Sequence, residues 1–137
     1  MIMINFLHER LYIATITIRL SRICLEESIK YAMRRIAFGK PLSDLQALRM
    51  LIGKSAAEVE KMQAWLESII GSMLKLGKKA DLELAGTVCM LKAECGDLYE
   101  AVANAATHVF GGHSLVASGP GGRIEGFVVL CSSFSFK

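Results

Sequence analysis

The sequence predicts an all-α fold, an up-and-down bundle of three long helices followed by an irregular C-terminal tail. In two long segments apolar residues recur at alternating steps of three and four, and a glycine follows each segment. Another segment precedes them, and the short connections favour antiparallel neighbours. At 137 residues the chain is long enough for one domain with a substantial core. Three helices leave one apolar flank uncovered, so we expect the bundle to be incomplete.

The second segment shows the helical period most clearly. Pro41, Ser43 and Asp44 are expected to form its start, because proline tolerates the first turn and short polar side chains accept free N–H groups. Gly77, followed by two lysines, is expected to end it. The stripe consists of Leu45, Leu48, Ile52, Ser55, Val59, Met62, Leu66, Ile69, Met73 and Leu76.

The third segment repeats this pattern from Ala80 or Asp81 to Phe110 and is expected to stop at Gly111 and Gly112. Its stripe consists of Leu84, Val88, Leu91, Cys95, Leu98, Val102, Ala105 and Val109. We expect the two stripes to face one another, which would bury side chains such as Val59, Leu66, Leu91 and Leu98.

The first segment is predicted to be helical from roughly Glu9 to Arg34. Within it, residues 12–18 alternate in a way that would also suit a strand. The spacing of Leu20, Ile23, Ile29 and Met33 favours the helix. After residue 113 the helical period is lost, and residues 127–136 are strand-prone.

Charge and cysteine content limit the possible partners. The net charge of +3 is small and the basic residues are interspersed with acids, which argues against nucleic acid and anionic membranes. No apolar stretch is long enough to cross a bilayer and no secretory signal is evident, so we expect a soluble chain. The four cysteines lack zinc or redox spacing, which indicates reduced packing residues in an intracellular compartment. The Glu-x-x-His pairs of a di-metal bundle are also missing, so no metal site is predicted.

Two pieces of the chain are not explained by core packing. Arg34 and Arg35 end the first segment, and Phe38, Gly39 and Lys40 follow before a proline. The second piece is Phe110-Gly111-Gly112. Cationic and aromatic groups at one corner could hold an anionic cofactor.

Together these pieces resemble the C-terminal helical domain of the acyl-CoA dehydrogenases. The resemblance runs from about Asn5 to Glu125 in five blocks: residues 5–11, 24–28, 30–32, 35–40 and Gln46. It implies a domain over residues 5–125 and a divergent tail over 126–137. His108 stands where the family usually has glutamine, and Leu7 replaces a polar residue that helps to bind CoA.

The resemblance implies that one corner binds the adenine and diphosphate end of FAD. Arg35 would pair with the diphosphate of a neighbouring subunit's flavin, and Phe38 would pack near the adenine. Gln46 and His108 would supply hydrogen bonds, and Gly111 with Gly112 would let the backbone approach the adenosine closely. The alternatives are a hydrophobic plug for Phe38, a helix stop for Gly39 and a helix cap for the glycine pair.

The resemblance also implies a catalytic base. In this family a glutamate removes the proton alpha to the thioester of an acyl-CoA while the beta hydrogen leaves as hydride to the flavin. Most members carry that base near the C-terminus, in a segment that this sequence lacks. A minority carry it just before an arginine in the first long helix, which is where Glu9 and Arg10 lie. Arg10 would lie close to the substrate. The alternatives are a first-turn acid that complements the helix dipole and a surface arginine paired with an acid.

Several family features are absent from these 137 residues, namely the N-terminal helical domain, the central β-domain and the final helix. A truncated or out-of-frame product is therefore one hypothesis. We expect a homo-oligomer, with acyl-CoA and an electron-transfer partner only where the other domains are supplied. The competing hypothesis is a non-catalytic helical interaction module derived from the family.

Overall fold

The computed structural model describes residues 2–116 and residue 122. Three long helices dominate, so the predicted all-α class with three long helices is confirmed. A two-stranded hairpin follows the first helix, and 3₁₀ turns at Leu42–Asp44, Gly77–Lys79 and Gly111–Leu115 join or follow the other elements. The elements are α1 (Ile2–Arg34), β1 (Ile36–Ala37), β2 (Lys40–Pro41), α2 (Gln46–Leu76), α3 (Ala80–Glu83) and α4 (Ala85–Phe110).

Helices α1 and α4 run parallel, and α2 runs antiparallel to both. At one end of the bundle the ring of Tyr31 contacts the ring of Phe110, and at the other end His8 bonds Asp81. The contact between α1 and α4 is the most extensive in the fold. The C-terminal ends of α1 and α4 therefore lie at the same end of the bundle, which we call the hairpin end.

The core consists of two clusters stacked along the bundle. Val59, Leu66, Leu91 and Leu98 are all buried, which confirms the stripe prediction. The cluster towards the hairpin end contains Cys24, Val59, Leu98, Tyr99, Val102, Ala103, Ala106 and Phe110. The other contains Leu7, Ala14, Ile18, Leu66, Ile69, Val88, Leu91 and Cys95, with the half-buried Trp65 packed against it.

Buried hydroxyl groups line the core-facing side of α1. Thr17, Ser21 and Ser28 donate to the carbonyls four residues earlier at 2.8, 2.9 and 2.7 Å. A buried hydroxyl is tolerated only when it is hydrogen-bonded, and these bonds stay within the helix. Small side chains therefore line this face without leaving unsatisfied polar groups.

The helix boundaries correct several expectations. Helix α1 begins at Ile2, seven residues before the expected Glu9, because its charged residues lie on the exposed side while Leu7 already joins the core. Residues 12–18 are helical, so the strand alternative is wrong. Ser43 and Asp44 do not cap α2, since the extended Leu45 separates their 3₁₀ turn from its first residue.

Glycines end two helices as predicted. Gly77 follows α2 at φ 57° and Gly111 follows α4 at φ 55°, a region that side chains rarely adopt. The third segment divides at Leu84 into α3 and α4, although backbone bonds from Leu84 to Ala80 and from Val88 to Leu84 continue through the break. The strand-prone residues 127–136 and the expected boundary at residue 125 lie outside the described residues.

No disulfide joins two cysteines within the described residues. Cys24 and Cys95 are buried and Cys89 is half-buried, while Cys131 lies outside the described part. Burial, with a smaller contribution from Glu94, raises the pKa of Cys95 to about 11. Among the residues described, no helix combines the length and apolar character needed to cross a membrane.

Replacing Leu91 by alanine should test the core assignment. Leu91 is fully buried, so Leu91→Ala should lower the free energy of unfolding by about 2–5 kcal/mol. Leu74 is the matched control because it is 80% exposed in α2. Leu74→Ala should change the free energy of unfolding by less than about 0.5 kcal/mol. Urea denaturation measures both values, and similar losses would contradict the assignment.

Candidate functional site

The hairpin after α1 is held by backbone bonds on both sides of Arg35. The Arg35 N–H donates to the Tyr31 carbonyl at 2.9 Å, and the Leu42 N–H donates to the Arg35 carbonyl at 2.9 Å. Strands β1 and β2 pair antiparallel with Ile36 opposite Pro41. The backbone of Arg35 is therefore fixed between the helix and the hairpin.

Phe38 and Gly39 form the tip of this hairpin. Their φ angles are 54° and 75°, and positive values at both central residues are typical of a type I′ turn. Gly39 adopts this conformation freely, whereas a bulky side chain is strained in it. Phe38 is nevertheless 94% exposed, so no packing within the described chain offsets the strain. The hydrophobic-plug alternative for Phe38 is wrong.

Aromatic rings join the hairpin to the end of α4. The centroids of the Tyr31 and Phe110 rings are 4.6 Å apart, and those of Tyr31 and His113 are 6.0 Å apart. Tyr31 lies in the last turn of α1, while Phe110 ends α4. These contacts bring the arginine-containing piece and the Gly111-Gly112 piece to one end of the bundle, as the sequence predicted.

The helix ends at this site carry opposing partial charges. The C-termini of α1 and α4 present negative carbonyl ends, which disfavour an anion. The N-terminus of α2 presents N–H groups, and its N-cap residue Leu45 makes no side-chain cap. Gln46 is exposed at this start, as is the acidic Asp44. Anion binding here would therefore depend on cationic side chains rather than on helix dipoles.

Arg35 is one of the exposed cations at this end of the bundle. Its side chain is exposed, and within residues 2–116 it forms no ion pair with a carboxylate. Arg34 and Lys40 are exposed nearby in the sequence. An exposed guanidinium without a carboxylate is available for bidentate binding of a phosphate.

The glycine pair differs in what the fold requires of each member. The backbone at position 111 has φ 55°, so the turn requires glycine there. This agrees with the alternative in which the glycine pair caps the helix. Gly112 has no such angle, and a Cβ there would meet no heavy atom within 4 Å. The space beside Gly112 is therefore open, as it is beside Gly53, Gly71, Gly86 and Gly96. His108 is exposed in the last turn of α4.

Glu9 and Arg10 lie at the opposite end of the bundle. Both are exposed, and the Arg10 guanidinium contacts the Cys89 sulfur at 3.3 Å rather than an acid of the described chain. Glu9 lies in the third turn of α1, so the first-turn dipole alternative is wrong. Glu9 and Arg34 are 25 positions apart in the sequence, which spans about 38 Å of helix at about 1.5 Å per residue.

The structure adds contacts that the sequence analysis did not predict. Tyr31 and His113 hold the two pieces together, and only a contact between distant residues reveals them. An open groove beside the hairpin end is lined by Ile29, Ala32, Met33, Ser43, Asp44, Arg49, Ile52 and Gly53. Within the described residues no group of three potential metal ligands occurs.

The three long helices define an all-α helical-bundle domain. A family model of the acyl-CoA dehydrogenase C-terminal domain matches residues 1–129, and the chain belongs to this family.

Two relatives and two solved structures illustrate the similarity. The chain is 37% identical over 126 residues to acyl-CoA dehydrogenase apdG of Emericella nidulans, covering 91% of this chain and 29% of that protein. It is 30% identical over 128 residues to acyl-CoA dehydrogenase AFT10-1 of Alternaria alternata, covering 91% of this chain and 30% of that protein. A glutaryl-coenzyme A dehydrogenase in complex with glutaryl-CoA superposes with TM-score 0.76 at 25% identity, covering 95% of this chain and 32% of that one. A putative acyl-CoA dehydrogenase of Mycobacterium smegmatis shares the fold with TM-score 0.83 at 23% identity, covering 93% of this chain and 32% of that one. The chain thus spans about 30% of the length of these proteins.

Replacing Phe38 should relieve the strain at the hairpin tip. Asparagine tolerates the left-handed conformation and Asn-Gly is the preferred type I′ pair, so Phe38→Asn should raise the free energy of unfolding by about 1 kcal/mol. Phe38→Leu keeps the strained backbone and should leave stability nearly unchanged. Thermal denaturation compares the variants, and equal stabilities would contradict the strain.

Proposed function

We propose that the hairpin end binds the adenine and diphosphate end of FAD as part of an acyl-CoA dehydrogenase-type oxidoreductase. The observation that carries the proposal is the exposed Arg35 side chain, which forms no ion pair with a carboxylate within residues 2–116. It lies at the same end of the bundle as the exposed Phe38 and the glycine pair. A glycine surface, a cation and an aromatic face match an adenosine diphosphate group.

Each side chain has a separate role in this proposal. Arg35 pairs with the diphosphate, and the Phe38 ring packs against the adenine. This contact offsets the backbone strain at Phe38. Gln46 and His108 supply hydrogen bonds, and Gly111 and Gly112 let the backbone approach. When bound, FAD supplies a hydride acceptor.

Glu9 is the proposed base for the proton alpha to the acyl-CoA thioester, with Arg10 near the substrate. About 38 Å of helix separates Glu9 from Arg34 beside the flavin corner. In this proposal the two ends serve different cofactor molecules in a homo-oligomer. Acyl-CoA dehydrogenation, and transfer of electrons to a partner protein, are proposed for the complete assembly.

Flavin binding tests the corner directly. We expect weak FAD binding by the 137-residue chain, measured by equilibrium dialysis or flavin fluorescence. Arg35→Ala should weaken it by about ten- to a hundredfold, because hydrogen bonds to charged groups contribute about 1.5–3 kcal/mol. Arg34→Ala is the matched control, since it removes the neighbouring exposed cation.

Phe38→Asn gives an independent check on the same corner. It should weaken FAD binding while stabilising the fold, which separates loss of the ring from loss of structure. If both Arg35→Ala and Phe38→Asn left FAD affinity unchanged, the corner assignment would be wrong. Absence of protein-bound flavin in dialysis at every FAD concentration tested would favour the alternative, a helical interaction module, which the exposed Leu74 and Leu82 side chains also suit.

Catalysis should not occur in these 137 residues alone. Dehydrogenation requires the base, the alpha carbon and the flavin ring to be positioned within about 1 Å, and FAD held only at its adenosine end leaves the ring in solvent. The assay mixes the chain with FAD, a panel of acyl-CoAs and an artificial electron acceptor. Protein-dependent reduction that disappears in Glu9→Gln would overturn this prediction and establish Glu9 as the base.

A further inference from the structure

Two histidines lie on either side of the glycine pair at the hairpin end. His108 is in the last turn of α4, three residues before Gly111, and His113 directly follows Gly112. Both residues are exposed. The third histidine of the chain, His8, lies at the opposite end of the bundle. We propose that His108 and His113 make FAD binding at this corner proton-dependent, with tighter binding when their rings are protonated.

The ring of His113 is held at the hairpin end by its backbone and by an aromatic contact. It belongs to the 3₁₀ turn Gly111–Leu115, in which the hydroxyl of the buried Ser114 donates to the Gly111 carbonyl at 2.7 Å. The centroid of its ring is 6.0 Å from that of Tyr31. The imidazole therefore stays beside the glycine pair, at the end of the bundle that carries the proposed diphosphate site.

No carboxylate forms an ion pair with either ring within residues 2–116. Among the acids of the surrounding elements, Glu27 bonds Lys30 at 2.8 Å, and Asp44 precedes α2. On α4 itself, Glu100 lies eight residues before His108, which is about 12 Å of helix.

The cationic side chains of the elements around the two rings are Arg34, Arg35, Lys40 and Arg49. Lysine, arginine and carboxylate side chains ordinarily keep their charge between about pH 5 and pH 8, whereas histidine changes its charge there. The two histidines are therefore the side chains through which pH alters the charge of this corner.

Protonation changes what an imidazole offers to a phosphate. In the neutral ring one nitrogen donates and the other carries a lone pair that repels a phosphate oxygen, whereas both nitrogens of the charged ring donate. Hydrogen bonds from a charged donor to a phosphate are also the stronger ones. In addition, a charged His108 or His113 places a cation at the C-terminal end of α4, where the carbonyl groups otherwise disfavour an anion.

This inference rests on the FAD site proposed above and adds a form of regulation to it. Each phosphate of FAD is linked on both sides, so FAD lacks the second proton that a terminal phosphate loses near pH 6. The pH dependence therefore comes from the protein. A ligand that prefers the protonated protein also raises the affinity of the protein for protons, so FAD binding takes up protons.

Equilibrium dialysis at about pH 5.5 and about pH 8 tests the proposal, with circular dichroism to verify the fold at both values. The wild-type chain should bind FAD about five- to tenfold more tightly at the lower pH, because hydrogen bonds from charged donors are stronger. Glutamine can donate a hydrogen bond but cannot become charged, so the double variant His108→Gln, His113→Gln should bind FAD equally at both pH values. His8→Gln is the matched control and should keep the wild-type ratio, because His8 bonds Asp81 at the other end.

Proton uptake at a single pH gives a second measurement that does not compare acid and neutral protein. Calorimetric titration with FAD at about pH 6.5, in buffers with different heats of ionisation, measures the protons bound per FAD. The wild-type chain and His8→Gln should take up protons, and the double variant should take up none. If acid unfolds the chain, this measurement decides alone.

The outcomes separate this inference from the proposed FAD site. Equal affinity at both pH values in the wild-type chain, or a pH ratio that survives in the double variant, would overturn the inference and leave the FAD site intact. No FAD binding at either pH would overturn both. Arg35→Ala should weaken binding at both pH values without changing their ratio, since arginine keeps its charge throughout this range.

Discussion

The parallel packing of α1 against α4 is the constraint on which the rest of the structure depends. Hydroxyls and small side chains on α1, bonded within their own helix, leave this contact without unsatisfied polar groups. Because the two helices run in the same direction, their C-termini meet at the hairpin end, where Tyr31 contacts Phe110. Helix α2 runs back along both and presents its uncapped N-terminus to the same end.

This arrangement explains why cationic side chains are needed at the corner. Two negative helix ends face the proposed diphosphate site, and one positive helix end, next to Asp44, opposes them only in part. Arg35 is fixed through its backbone while its side chain stays without a carboxylate partner in the described region. Affinity would thus depend on a guanidinium more than on the helix dipoles.

Helical periodicity was enough to predict the core, because Val59, Leu66, Leu91 and Leu98 repeat often enough to define one face. The start of α1 was missed because Glu9 and Arg10 suggested a boundary, whereas charged residues on an exposed helix face interrupt nothing. Two-residue strands have no period to detect, so the hairpin could not be predicted. The contact of Tyr31 with Phe110 joins residues far apart in sequence and has no local signal. The contacts of His8 with Asp81 and of Arg10 with Cys89, at the Glu9 end, were not predicted for the same reason.

The position of the single tryptophan determines what fluorescence can report about this protein. Trp65 packs against the core cluster that contains Leu7 and Leu91, away from the cluster that contains Phe110. Its emission therefore follows the packing of α2 at the Glu9 end. Opening of the hairpin end alone would leave that signal unchanged while circular dichroism recorded lost helix, because regions of a domain can open separately. Fluorescence and circular dichroism are thus local and global reporters of this bundle.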